Sequence, residues 1–142
     1  MTRFFDTSAV VAAYAEEERS DRTRSLLSEG GVAVSRLIEV ETVSALARLT
    51  REASISEAQR DEAVAAFLAD LGGWDVVEVV PDVTAQARAL LLRHPLRAAD
   101  ALQLSSALVL QSRLGAPLNA FVAFDLRIVE AARAERLAVS TE

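Results

Sequence analysis

Short β-rich runs alternate with longer stretches of helical period along all 142 residues of the chain. Phe4-Phe5, Val32-Ala33-Val34, Val76 to Val80 and Phe121 to Phe124 are strand candidates, and Leu137 to Val139 is a fifth. Between them apolar residues recur at the spacing of one helix face. Thr7 or Ser8 is placed to cap a helix through Val10, Val11 and Tyr14. Glu16 to Thr23 reads as a charged, solvated stretch. Leu26 and Leu27 close a second helix, which Gly30-Gly31 stops. Ser35 precedes, and is expected to cap, a helical run to about Glu52. Ser56 opens another helix, ended by Gly72-Gly73, and Asp82 caps one that His94-Pro95 breaks. Arg97 to Leu114 and Leu126 to Arg136 are the last two helices. Strands separated by helices close their apolar faces as a mostly parallel sheet with helices on both sides. The expectation is an α/β fold. No repeat, linker or low-complexity stretch interrupts the pattern, so one domain over residues 1–142 is expected.

In open parallel sheets, sites form beyond the carboxyl ends of the strands. Acids stand at those positions. Asp6 follows the first strand and Asp125 the fourth. Glu39 and Glu41 lie on the helix after the second strand, and Asp100 begins the Arg97–Leu114 helix. All lie at one edge of such a sheet and can converge on one cleft. Clustered carboxylates repel, and divalent cations are the simplest compensation. An oxygen-only ligand set suits Mg²⁺ or Mn²⁺. Two such ions can activate water and stabilise the leaving oxygen of a phosphodiester. Each acid also has a plainer reading. Asp6 and Asp125 can cap the helices that follow them, and Asp100 can be an acid in a helix first turn. Glu39 and Glu41 can be surface acids, and helical periodicity does not choose between them.

Composition narrows the chemistry further. There is no cysteine, which removes disulfides, zinc ribbons, iron–sulfur clusters and thiol nucleophiles. There is no lysine, and all 15 basic residues are arginine. Schiff-base chemistry and the P-loop are therefore excluded, and so is the lysine of phospho-aspartyl receivers. A haloacid-dehalogenase-type phosphatase wants a second Asp where Ser8 stands. His94 is the only histidine, so a multi-histidine zinc site is impossible. The net charge of −6 argues against a passive nucleic-acid binder. It does not oppose an enzyme that brings divalent cations to a phosphate. No apolar run is long enough to span a bilayer, and the start lacks a signal-peptide pattern, so a cytoplasmic protein is expected.

Four motifs in order now resemble a known family. Phe5-Asp6-Thr7-Ser8-Ala9 resembles the first motif of PIN-domain ribonucleases, in particular the VapC toxins of bacterial toxin–antitoxin pairs. Ser35-Arg36-Leu37-Ile38-Glu39-Val40-Glu41, followed by Ser44-Ala45-Leu46, resembles the second and puts the family acid on Glu41. Leu96-Arg97-Ala98-Ala99-Asp100-Ala101-Leu102-Gln103-Leu104 is the most specific match. Phe121-Val122-Ala123-Phe124-Asp125, running into Glu130-Ala131-Ala132, resembles the fourth. Ala123 departs from the Thr or Ser often found two residues before that acid. The resemblance implies a PIN-like three-layer α/β/α sandwich around a central, mostly parallel four- to five-stranded sheet. It implies a Mg²⁺- or Mn²⁺-dependent endoribonuclease that leaves a 5′-phosphate and a 3′-hydroxyl. Asp6 and Asp100 are then expected as direct ligands of two metal ions, with Glu41 and Asp125 binding directly or through water. It also implies a VapB-like antitoxin partner and a homodimer.

Arg97 and Arg127, near Asp100 and Asp125, are substrate-contact candidates, and so are the hydroxyls of Thr7 and Ser8. His94 reads as a surface-loop residue and Trp74 as packing over a strand end. Tyr14 and Phe67 read as core. A non-catalytic scaffold of the same fold and a DNA-directed nuclease are the rival readings.

Overall fold

The computed structural model describes residues 1–15 and 18–141. Five strands form one sheet: β1 (Arg3–Phe5), β2 (Val32–Ser35), β3 (Asp75–Val77), β4 (Ala120–Val122) and β5 (Val139–Ser140). Every pairing is parallel, and the order is β3-β2-β1-β4-β5. Seven helices connect them: α1 (Thr7–Tyr14), α2 (Ser20–Ser28), α3 (Ile38–Arg51), α4 (Glu57–Leu71), α5 (Pro81–Arg93), α6 (Ala98–Leu114) and α7 (Leu126–Ala134). The expected α/β architecture is borne out, with a fully parallel sheet.

Successive strand side chains point to opposite faces, so each strand feeds two cores. Phe4, Ala33, Val77 and Phe121 pack against Val83 and Leu90 of α5, Leu104 of α6 and Ile128 of α7. Phe4 and Phe121 stack with ring centroids 5.7 Å apart. Phe5, Val34 and Val122 face the other way, onto Val10 of α1, Ile38 of α3 and Phe67 of α4. Burial on both faces explains why the strands read as unbroken apolar runs rather than as alternating patterns. Each buried Phe stabilises the fold by roughly 1.5–3 kcal/mol relative to an exposed one.

The element boundaries differ from the sequence expectation where local chemistry competes. Asp6, not Thr7 or Ser8, caps α1, its carboxylate accepting the Ser8 N–H. Ser35 ends β2 instead of capping α3. Its hydroxyl accepts the Leu37 N–H at 3.2 Å, and α3 starts at Ile38. α5 starts at Pro81, whose fixed φ suits the first helical position, so Asp82 sits in the first turn and is not the cap. β3 stops at Val77, three residues before the expected end at Val80. Within the stretch expected to be solvated, Glu18 and Arg19 are exposed, but Ser20 and Thr23 are buried at the start of α2. Glu16 and Glu17 lie outside the described residues. Ser56, expected to open a helix, does so as a full capping box on α4: Gln59 N–H donates to Ser56 Oγ, and Ser56 N–H to Gln59 Oε1.

Candidate active site

The strand order reverses direction at β1. From there the chain winds out to β2 and β3 on one side, and later to β4 and β5 on the other. A crevice opens at the carboxyl ends of the strands at such a point. Asp6 leaves β1 there, and Asp125 stands three residues beyond the end of β4. Glu41 enters from the first turn of α3 and Asp100 from the first turn of α6. All four line one cleft of about 910 Å³.

Asp6 is the most buried of the four, at 6% exposure. Its Oδ2 accepts both the hydroxyl (2.7 Å) and the backbone N–H (3.2 Å) of Ser8. Burial nevertheless pushes the Asp6 carboxyl up to about 6, and the nearby Glu41 charge adds to the rise against the Ser8 hydrogen bonds. The Ser8 hydrogen bonds therefore offset the burial of this carboxylate only in part.

Glu41 is fixed through one oxygen. Its Oε1 accepts the Thr7 hydroxyl at 2.9 Å and the Gln103 Nε2 at 2.7 Å, and the same Nε2 donates to Thr7 Oγ1 at 2.9 Å. Gln103 is one turn beyond Asp100 on α6 and only 1% exposed, and its own Oε1 is buried without a partner. This residue ties α1, α3 and α6 together below the cleft. A polar residue inside the apolar run Ala101 to Leu104 is the signal for it, although its partners are distant in sequence. Glu39 turns instead to solvent, where Arg36 pairs with it and with Glu78. The ambiguity between Glu39 and Glu41 is thus resolved by geometry: only Glu41 enters the cleft.

Asp100 accepts the Arg97 N–H at 3.3 Å, and Asp125 caps α7 by accepting the Arg127 N–H at 2.9 Å. The plainer readings, Asp125 as a cap and Asp100 as an acid in a helix first turn, therefore hold as well, and neither keeps the carboxylate out of the cleft. The Arg97 side chain, 69% exposed, leans toward both acids, 3.5 Å from Asp100 and 3.9 Å from Asp125. Arg127 meets Asp125 through its backbone, and it does not line the cleft. Ala123 lies fully buried in the core against α5, α6 and α7, away from the cleft lining.

The remaining expectations are placed elsewhere. His94 is not a free loop residue: its side chain is 14% exposed, with Nε2 2.7 Å from Glu135 Oε2 at the far end of α7. Trp74 packs against Phe67, ring centroids 6.1 Å apart, and Tyr14 meets the edge of the same ring at 5.8 Å. Tyr14 also donates its hydroxyl to Asp70.

Among the described residues, no three acidic or histidine side chains are gathered tightly enough to hold an ion as they stand. The donor chemistry does fit one. The cleft offers carboxylate and hydroxyl oxygens, and Asp6 is destabilised as an anion by burial and by Glu41.

Residues 3–134, from β1 to the last residue of α7, match the description of the PIN domain. The chain belongs to the PIN domain family. PIN domains are nuclease domains that generally use divalent metal ions. No curated protein matches this PIN domain in sequence. Among solved structures it resembles VapBC2 of Rickettsia felis bound to a promoter DNA fragment, with TM-score 0.66 and 16% identity over 99% of this chain and 98% of that one. It also resembles VapC20 of Mycobacterium tuberculosis, a toxin that cleaves the sarcin–ricin loop, with TM-score 0.65 and 24% identity over 92% and 95% of the two chains. DNA-bound VapBC of Salmonella typhimurium gives TM-score 0.66 and 14% identity over 99% and 97%. At these identities the likeness is one of fold. Among the described residues of this PIN domain, no helix is long and apolar enough to cross a membrane.

Proposed function

We propose that this PIN domain is a Mg²⁺- or Mn²⁺-dependent endoribonuclease, the toxin of a toxin–antitoxin pair. The observation that carries the reading is the convergence of Asp6, Glu41, Asp100 and Asp125 on one cleft at the sheet's reversal point. Family membership supports the nuclease, and the VapC and VapBC likenesses support the toxin.

Asp6 and Asp100 are the proposed direct metal ligands, with Glu41 and Asp125 binding directly or through water. When bound, the ions supply an activated water and stabilise the oxygen that leaves. The chain's own groups prepare the site. Ser8 holds one oxygen of Asp6, and Thr7 and Gln103 hold one oxygen of Glu41, so each carboxylate keeps a second oxygen for the cleft. Thr7 and Ser8 therefore act as positioning residues more than as substrate contacts. Arg97 is the cation best placed to meet a phosphate near Asp100 and Asp125. No covalent nucleophile is needed, in keeping with the absence of Cys and Lys. The products are a 5′-phosphate and a 3′-hydroxyl. A VapB-like antitoxin is the proposed inhibitor, and a homodimer the proposed assembly.

The test is incubation of antitoxin-free protein with total bacterial RNA and Mg²⁺ or Mn²⁺, followed by mapping of 5′ ends. Discrete new 5′-phosphate ends are expected, lost with EDTA and with Asp100→Ala. Cleavage of DNA but not RNA, or of neither, would overturn the reading in favour of a DNA nuclease or a scaffold.

A further inference from the structure

Three arginines line the acidic cleft: Arg19, Arg48 and Arg97. Arg97 leans on Asp100 and Asp125, and Arg48 meets Glu52 at 3.9 Å one turn along α3. Arg19 differs. Among the described residues its guanidinium has no carboxylate partner, although Glu18 lies beside it in the cleft and the chain carries 21 acids. Instead, Arg19 lies over the Phe124 ring, its guanidinium carbon 4.6 Å from the centroid.

Phe124 is not a casual support. Its backbone N–H donates to Ser8 Oγ at 3.0 Å, and that hydroxyl donates to Asp6. The next residue is Asp125. The ring is therefore held in register with two of the cleft carboxylates. A guanidinium resting against a ring keeps its in-plane N–H groups free for an anion. The ring also narrows the orientations the side chain must give up on binding, which lowers the cost. An acidic floor attracts cations but repels the phosphates on either side of a scissile bond, so a polyanionic strand needs donors at the rim.

We propose that Arg19, seated on Phe124, is a phosphate-binding residue at the mouth of the cleft that holds the RNA strand beside the scissile bond. The proposal rests on the ribonuclease reading.

The experiment compares wild type, Arg19→Gln, Arg19→Lys and Phe124→Leu on one RNA that the wild type cuts, in Mg²⁺, across a series of salt concentrations. Arg19→Gln is expected to raise KM about tenfold with kcat little changed, and to flatten the slope of log(kcat/KM) against log[salt] by about 0.7. Arg19→Lys keeps the slope but loses part of the affinity. Phe124→Leu raises KM by less than Arg19→Gln does. The Mg²⁺-binding isotherm and thermal midpoint of Arg19→Gln should match the wild type. An unchanged KM and salt slope in Arg19→Gln, or a loss confined to kcat, would overturn the proposal and leave the ribonuclease standing. A wild type that cuts no RNA removes both.

Discussion

Glu39 and Glu41 stand two positions apart on α3 and meet opposite fates. Glu39 pairs with Arg36 in solvent, while Glu41 is gripped from below by Thr7 and Gln103. Glu39→Gln should therefore leave RNA cleavage intact and change stability by less than about 0.5 kcal/mol. Glu41→Gln should lower cleavage at least about tenfold without unfolding the chain, read by initial rates and a melting curve. Gln103→Leu keeps the volume but removes both donors. It should cost about 1–2 kcal/mol in denaturant unfolding and weaken cleavage along with it. At this scale the four acids were legible because their positions after strands and at helix starts are sequence facts. The choice of Glu41 over Glu39 by periodicity was not, because each acid shares its helical stripe with apolar residues, Glu41 with Leu37 and Glu39 with Val43 and Leu46. Gln103 and Arg19 act through partners 62 and 105 positions away, and no local pattern carries such distances.

Two glycines separate α2 from β2, and they are not equivalent. Both have positive φ, +83° at Gly30 and +63° at Gly31. A Cβ on Gly30 meets nothing, whereas one on Gly31 would stand 2.0 Å from the Met1 carbonyl oxygen. Gly31 also accepts the Arg3 N–H that starts β1. Gly30→Ala should cost about 1 kcal/mol from backbone strain alone, and Gly31→Ala more than about 2 kcal/mol, compared by chemical denaturation. Glu135, at the end of α7, clasps Arg93 and His94 at the end of α5. The Arg93 hydrogen bond, followed by that of His94, holds the Glu135 carboxyl below its ordinary value of 4.5 despite partial burial. A depressed folded value means that the stabilisation is complete above the unfolded value and lost as pH falls through the folded one. Glu135→Gln should thus lower the melting temperature by about 3 °C at pH 7, with the gap to wild type closing as the pH falls below the ordinary value of 4.5. The helices and strands were readable from their period and from Gly and Pro punctuation. The ends misread were those decided by a competing bond, such as the Ser35 hydroxyl turning to Leu37. The start of α2 was hidden by its charges, since Ser20 and Thr23 are buried in a helix that packs against α1 and whose apolar residues, Leu26 and Leu27, come only near its end.

The whole molecule carries −6, and five carboxylates, those of Asp6, Glu18, Glu41, Asp100 and Asp125, line one cleft against three arginines. Divalent cations should therefore stabilise the folded state. At a Mg²⁺ or Mn²⁺ concentration of 100 times the dissociation constant, the gain is about 2.7 kcal/mol, a rise of several degrees in the melting temperature. EDTA should reverse it, and Asp6→Asn together with Asp100→Asn should abolish the response. An equal rise in that double variant would show that the ions act elsewhere. The parallel order of the sheet has another consequence. β1 is made first but lies in the middle, and its neighbour β4 begins only at Ala120. The cleft draws on positions 6, 41, 100 and 125. A ribosome-bound chain therefore holds no assembled cleft until synthesis has passed position 125 of 142, and a copy terminated before that point lacks the full set of converging carboxylates.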